Sequence, residues 1–258
     1  VSEDGASGRL WLVVPAAGRG RRMGADRPKQ YLPLEGRPVL AHTLERLYQA
    51  FPQAQLCLCL DPDDDRFDPA WVPFAQWRRS PGGAERADSV RQALAALADE
   101  AGDDDLVLVH DVARPCVTVA DLMTLLSALR EDPVGALLAT PVADTIKRDD
   151  GQARIASTEP RDGLWQAQTP QGFRYGLLRR ALEQAAAGDV GVTDEASAVE
   201  ALGLSPRLVP GRRDNLKITH PEDLALAAHV LAAQREGRAL HAGQGCAGHA
   251  NHASKETD

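Results

Sequence analysis

The sequence predicts an α/β fold: a mostly parallel mixed sheet covered by helices on both faces, with a β-arm projecting from it. Two observations carry that expectation. Short apolar runs of strand length alternate with longer runs in which apolar residues recur at helical spacing, the order that builds a parallel sheet. The strand-like runs, LWLVV, QLCLCL and LVLV, are nearly all apolar, as expected of strands buried on both faces. At 258 residues the chain is long enough to bury a sizeable core in one domain. The expected domain spans residues 8–235.

Leu10 to Val14 reads as the first central strand, and Pro15, which has no N–H for a ladder, marks its end. Val39, Leu40, Leu44 and Leu47 give Pro38–Ala50 a helical period, with Pro38 at a tolerated first-turn position. Gln55–Leu60 is the second strand, followed by the solvated acidic loop DPDDDRFDP. A helix over Ala84–Ala98 follows Pro81-Gly82-Gly83. Leu106–Val109 is a strand ending at His110-Asp111, Val119–Leu129 a helix and Val134–Ala139 a strand. The alternation then fails between Thr140 and Phe173, where Asp149-Asp150-Gly151 is a hairpin-type turn signal; this stretch is the expected arm. Helical patterning resumes over Tyr175–Ala187 and Thr193–Leu202. A strand pair is expected around Leu208 and over Leu216–Thr219. A final helix, with Thr219 and Glu222 in capping-box spacing, should end near Ala233. Residues 236–258 are rich in Gly, Ala and polar residues and are expected to be disordered.

Net charge is −8, which argues against a general nucleic-acid binder. No apolar run approaches the roughly 20 residues of a membrane span, and VSEDGASGR is too polar for a signal peptide. The four cysteines are scattered, and Cys57 and Cys59 share one face of a strand, so they read as core in a reducing cytoplasm rather than as a disulfide or metal framework.

The chemistry concentrates after the first strand. Gly18, Gly20 and Gly24 let the backbone turn tightly, and Arg19, Arg21, Arg22 and Lys29 surround that turn with cations. Backbone N–H groups in such a loop make an anion-binding concavity suited to a polyphosphate. It is not a Walker loop, since no Lys-Ser or Lys-Thr follows the glycines. Nor is it the dinucleotide fingerprint, because Met23 stands where the third glycine belongs. Downstream, Asp111 sits at the C-terminal end of a buried strand, where open α/β sheets place ligands, and one carboxylate with substrate phosphates suits Mg²⁺. A third segment, Pro81-Gly82-Gly83-Ala84-Glu85-Arg86-Ala87-Asp88-Ser89-Val90, has glycines that would admit a flat ring and a serine on the first helical turn; an ordinary capped glycine turn explains it equally well in isolation.

Pro15-Ala16-Ala17-Gly18-Arg19-Gly20-Arg21-Arg22-Met23-Gly24, then Pro28-Lys29-Gln30-Tyr31-Leu32 through His42-Thr43-Leu44, resembles the 2-C-methyl-D-erythritol 4-phosphate cytidylyltransferase family of nucleotidyltransferases. His110-Asp111-Val112-Ala113-Arg114-Pro115 resembles its HDAARP segment with one alanine changed to Val112, the segment around Gly82 its GGxxRxxSV, and Thr193-Asp194-Glu195-Ala196-Ser197 its TDEAS. The likeness spans about Leu10–Ala233.

The resemblance implies a Rossmann-like, glycosyltransferase-A-like fold and cytidylyl transfer from CTP to methylerythritol phosphate with Mg²⁺, in isoprenoid precursor synthesis. It implies that Pro15, Ala16, Ala17, Gly18, Gly20, Gly82, Gly83, Ser89 and Ala113 bind the nucleotide. Arg22 would hold the triphosphate and Lys29 would stabilise the pentavalent α-phosphate. Asp111 would bind metal and substrate. Arg161 and Lys217 would clamp the acceptor phosphate with Thr145, Thr193 and Thr219 nearby. It also implies a homodimer formed through the arm. A cytidylyltransferase for ribitol phosphate, or a non-catalytic nucleotide-binding relative, remains the alternative. Retention of Arg22, Lys29 and Asp111 weighs against the second, and the chain reads as monofunctional.

Overall fold

The computed structural model describes residues 8–18, 27–188 and 190–247, with side chains as far as 237. In chain order the elements are β1 (Leu10–Pro15), the small hairpin β2 (Pro33–Leu34) and β3 (Arg37–Pro38), α1 (Val39–Ala50), β4 (Gln55–Leu60), β5 (Trp77–Pro81), α2 (Arg86–Ala96) and β6 (Leu106–Val109). Then follow α3 (Val119–Glu131), β7 (Ala136–Pro141), β8 (Ile146–Asp149), β9 (Ile155–Glu159), β10 (Trp165–Arg174), α4 (Tyr175–Ala187), α5 (Glu195–Glu200), β11 (Arg207–Pro210) and α6 (Glu222–Ala247). Seven strands form one sheet in the order β11-β7-β10-β6-β1-β4-β5. All neighbours pair in parallel except β10, which runs antiparallel to both β6 and β7.

The period-2 alternation of β1 divides the core. Leu12 and Val14 face α1 and α3, packing with Leu40, Leu44, Leu47, Leu125 and Leu129. Trp11 and Val13 face the opposite layer with Val90, Leu94, Leu178, Leu182 and Val199 of α2, α4 and α5. Cys57 and Cys59 lie together in that second layer, buried, as their spacing predicts. Each side chain of β1 between Trp11 and Val14 is fully buried, and burying a residue of this kind contributes about 1.5–3 kcal/mol.

Four expectations need correction. The arm is shorter than residues 140–173: the exposed hairpin β8–β9 projects, but Trp165–Arg174 returns as a central strand. Its sequence, WQAQTPQGFR, hides the strand, because Pro170 and Gly172 punctuate it and no apolar alternation marks it. Gly151, at φ +86°, does turn the hairpin tip where Asp-Asp-Gly predicts it. Strand β5 is unpredicted, because WRRSP is a polar edge strand without apolar alternation; Arg78 Nη2 donates to both oxygens of Glu100 at 2.7 Å and its guanidinium lies over the Trp11 ring. Leu216–Thr219 is not a strand; β11 pairs with β7 instead, and the Ile218 N–H donates to Ala113 O at 2.8 Å. Finally, α6 continues to Ala247, well past Ala233. Ala, Leu, Arg and Gln in that stretch are good helix formers, and composition alone hid this. The carboxylate that reaches back at its start is Asp223, accepting from the N–H groups of Thr219 and His220 at 2.8 Å, rather than Glu222.

Candidate active site

β1, β4 and β6 run parallel, so their C-terminal ends open on the same side of the sheet, where this topology leaves a crevice. A cleft of about 720 Å³ lies there. Its walls are the turn after β1, the glycine segment after β5, the segment after β6 and the loop before α6. Each is tied to the sheet or to a neighbour. The Ala16 N–H donates to Cys59 O and the Gly82 N–H to Leu60 O, both at 2.8 Å. The buried Gln30 amide donates to Ala16 O at 2.6 Å, fixing the backbone from which Ala17 and Gly18 enter the cleft.

Gly82 packs so tightly on this turn that a Cβ there would stand 2.0 Å from the Ala17 Cβ. The two segments therefore form one continuous wall. Ser89 holds its other end: the hydroxyl accepts from the Gly83 N–H at 3.0 Å and donates to Glu85 O at 3.2 Å. Glu85 and Asp88 close a capping box at the start of α2.

Across the cleft, Asp111 is buried at the end of β6 among three cations. Its Oδ1 accepts from Arg86 Nε at 2.7 Å, and its Oδ2 lies 2.8 Å from Lys217 Nζ and 3.8 Å from Arg114 Nε. Burial alone would raise this carboxyl, but Arg86 and Lys217 hold it well below the usual carboxylate range. The Lys29 ammonium donates to Ile218 O at 3.1 Å, which joins the first motif to the Lys217 loop. That loop is docked further by Arg114 Nη1 on Asn215 O at 2.6 Å and by the Asn215 amide on Thr169 O at 3.0 Å. Thr169 Oγ1 accepts the Asp111 N–H at 3.0 Å and lies 3.0 Å from His110 Nδ1. The hydroxyl proton thus goes to Nδ1, and Nε2–H donates to Arg114 O at 3.1 Å, the neutral tautomer. Burial pushes the His110 pKa down to about 4.

Of the residues expected at the site, Pro15, Ala16, Ala17, Gly18, Lys29, Gly82, Gly83, Ser89, Asp111, Ala113, Lys217 and Thr219 all line this one cleft. Arg22 and Gly20 lie outside the described residues. Thr145 and Arg161 stand on the exposed arm, away from the cleft wall, where the Arg161 guanidinium donates to Ala143 O. Thr193 is exposed just before α5 and is likewise not in the wall. The sequence reading assigned no task to Gln30, Arg86, Arg114, Thr169, Glu195 or Asn215. Gln30, Arg86, Arg114 and Glu195 sit inside the motif segments quoted above, and Asn215 inside Asp214-Asn215-Leu216-Lys217-Ile218-Thr219, which also resembles the family; that is the available signal, and Thr169 carries none.

Among the described residues no group of three or more His, Cys, Asp or Glu side chains is placed to hold a metal ion. A divalent cation here would take most of its ligands from substrate phosphates, with Asp111 as the protein carboxylate, a donor set that fits a hard ion.

Comparison with known proteins gives concordant results. The family model described as IspD, 2-C-methyl-D-erythritol 4-phosphate cytidylyltransferase, matches residues 10–233. The enzyme of that name from Chromohalobacter salexigens is 66% identical over 230 residues, 89% of this chain and 92% of that one. A crystal structure of 4-diphosphocytidyl-2C-methyl-D-erythritol synthase superimposes with a TM-score of 0.76 at 38% identity, covering 88% of this chain and 99% of the other. The Francisella tularensis 2-C-methyl-D-erythritol 4-phosphate cytidylyltransferase does so with a TM-score of 0.75 at 32% identity, over 86% and 99%. With a cleft that gathers the turn after β1, the glycine wall and Asp111 at the ends of parallel strands, the chain belongs to the 2-C-methyl-D-erythritol 4-phosphate cytidylyltransferase family.

Proposed function

We propose that this chain transfers the cytidylyl group of CTP to 2-C-methyl-D-erythritol 4-phosphate, releasing pyrophosphate, in the non-mevalonate route to isoprenoid precursors. The observation that carries the reading is the convergence of Lys29, Asp111 and Lys217 on one wall of a cleft whose opposite wall is the Ala17–Gly82 contact. An acceptor phosphate oxygen attacks the α-phosphorus of CTP. The bond from that phosphorus to the bridging oxygen of the β-phosphate breaks, and pyrophosphate carries the electron pair away. Little covalent chemistry falls to the protein in such a transfer, so positioning and charge stabilisation do the catalysis.

The chain's own residues divide that work. The Ala16–Gly18 backbone and Arg22 receive the triphosphate, the Gly82–Gly83 wall with Ser89 and Ala113 seats the cytidine, and Lys29 meets the charge growing at the α-phosphate. Lys217 has a half-exposed side chain on a loop, so it can leave Asp111 for the acceptor phosphate. Nucleotidyltransferases generally use a divalent metal, and Mg²⁺ bound between Asp111 and the phosphates would neutralise developing charge. Thr193 and Thr219 stand on the acceptor side.

The arm brings Thr145 and Arg161 to a second copy of the chain. Its hairpin is exposed along its length, with Ile155 at 66% and Trp165 and Leu164 also open. An isolated two-stranded hairpin is marginal in water, so packing in a two-fold dimer is the natural state. Buried thiols at Cys57, Cys59 and Cys116 fit the reducing cytoplasm. The domain proper ends near residue 235.

The test is an assay of purified chain with CTP, Mg²⁺ and methylerythritol phosphate, following pyrophosphate. Turnover with ribitol phosphate and none with methylerythritol phosphate would overturn the acceptor assignment; no turnover with either would overturn the activity.

A further inference from the structure

The two oxygens of Asp111 are held in unlike ways. Oδ2 meets Lys217, whose side chain is 38% exposed and hangs from a loop. Oδ1 meets Arg86 Nε, and the rest of that guanidinium is committed elsewhere: Nη1 and Nη2 donate to the two oxygens of Glu195 at 2.6 and 3.0 Å. Glu195 is 1% exposed and opens α5. The start of α5 is itself fixed. Asp194 and Ser197 close a capping box, the Gln171 amide donates to Asp194 Oδ2 at 2.8 Å, and the Ala196 N–H donates to Gln171 Oε1 at 2.9 Å. Arg86 is therefore clamped through Glu195 to α5 and through Gln171 to β10, with no freedom to swing away from Asp111. Bidentate arginine–carboxylate pairing adds this geometric fixity as well as energy.

We propose that Arg86, locked by Glu195, is a positioning residue that permanently occupies Oδ1 of Asp111, leaving Oδ2 as the single oxygen the carboxylate can exchange between Lys217 and a cation arriving with the nucleotide. The inference rests on the cytidylyl-transfer reading and adds to it a mode of ligation, one oxygen rather than two, and two residues that enforce it. Side chains that orient a ligating carboxylate typically carry about a 10–100-fold share of affinity or activity.

Two variants test it, assayed well below the melting temperature of the less stable one. Glu195→Gln keeps the shape but releases the Arg86 clamp. Its kcat should fall about 10–100-fold while the KM for CTP changes little, since the glycine walls bind the ground state. The double variant Arg86→Met/Glu195→Leu removes both buried charges together, which avoids stranding either one, so its Tm should return towards the wild-type value while kcat stays low. A thermal-shift reading needs no turnover: Mg²⁺ should add to the Tm rise given by CTP in the wild type, and that increment should shrink in both variants while the shift with CTP alone persists. A double variant with wild-type Tm, kcat within about twofold of wild type and an unchanged Mg²⁺ increment would overturn the inference and leave the pair a structural brace. Absence of turnover in the wild type would instead overturn the activity reading, and the Mg²⁺ increment would still decide the positioning role.

Discussion

The cleft and the arm are built by opposite rules. Around Asp111 the polar side chains are cross-braced across elements: Arg86, Thr169, Gln171, Glu195 and Asn215 link β6, β10, α2, α5 and the Lys217 loop, and all of these but Arg86 are buried. The β8–β9 hairpin is exposed along both strands and held by surface pairs such as Arg148–Glu159 at 2.7 Å. Surface pairs of that kind contribute about 0–1 kcal/mol, whereas breaking a buried pair costs about 3–5 kcal/mol. One half is pre-organised by buried contacts within the chain; the other stands exposed, with Thr145 and Arg161 away from the cleft wall. That contrast assigns different experiments to the two halves.

The largest effect should come from the pre-organised half. Lys29→Ala removes a cation acting on charge that grows towards the transition state, and kcat should drop on the order of 10²-fold or more with folding intact. Lys29→Arg should fail as well, because a forked guanidinium does not replace a point charge held on Ile218 O. Near-normal turnover of a folded Lys29→Ala protein would remove the assignment.

The arm makes its claim by complementation. Lys29→Ala and Arg161→Ala proteins, each inactive, are refolded together. If Arg161 acts across the dimer, half of the dimers are mixed and each regains one of two sites, so about a quarter of wild-type activity returns. If both residues act within one chain the mixture stays dead, and the contrast between a self-contained half and a donated half collapses.

A smaller effect is expected at Gly82. An alanine Cβ must push the Ala17 wall back from 2.0 Å, so Gly82→Ala should raise the KM for CTP about 10-fold, with a lesser change in kcat. An equal loss in kcat at unchanged KM would show that this wall serves the transition state rather than nucleotide binding.

The last is a pH effect on stability alone, with no change in the chemistry. His110 is neutral in the folded protein with a pKa near 4, and the unfolded chain takes up its proton near 6.5. Stability is therefore full above pH 6.5 and is lost as pH falls towards 4. Between pH 7 and pH 5 the loss should be about 2 kcal/mol, read as a lower midpoint in urea. His110→Gln, less stable at pH 7, should lack that slope; an unaltered slope would place the acid sensitivity elsewhere.

The legibility of the two halves differed as well. Helices α1 to α4 and strands β1, β4, β6 and β7 could be read because burial imposes a period on apolar residues. The cleft residues Lys29, Gly82, Ser89, Asp111 and Lys217 could be read because they sit in contiguous motifs. β10 could not: its buried residues are Gln168, Thr169 and Gln171, whose burial depends on partners that arrive from β6, α5 and the Asn215 loop. Polar residues satisfied by distant segments leave no periodic trace in the chain. The Arg86–Glu195 clamp is invisible for the same reason, joining residues 109 positions apart.

β10 begins beside the arm at Trp165, shifts register against β7 between Ala167 and Gln171, and passes Asp111 at Thr169 on its way into the sheet. The chain that leaves the hairpin is therefore the one that touches both the acidic residue at the end of β6 and the helix that clamps Arg86. A substitution that disturbs the arm's base at Trp165 should be read as an injury to the cleft as well as to the arm. Selection on this enzyme would then feel those two regions as one trait.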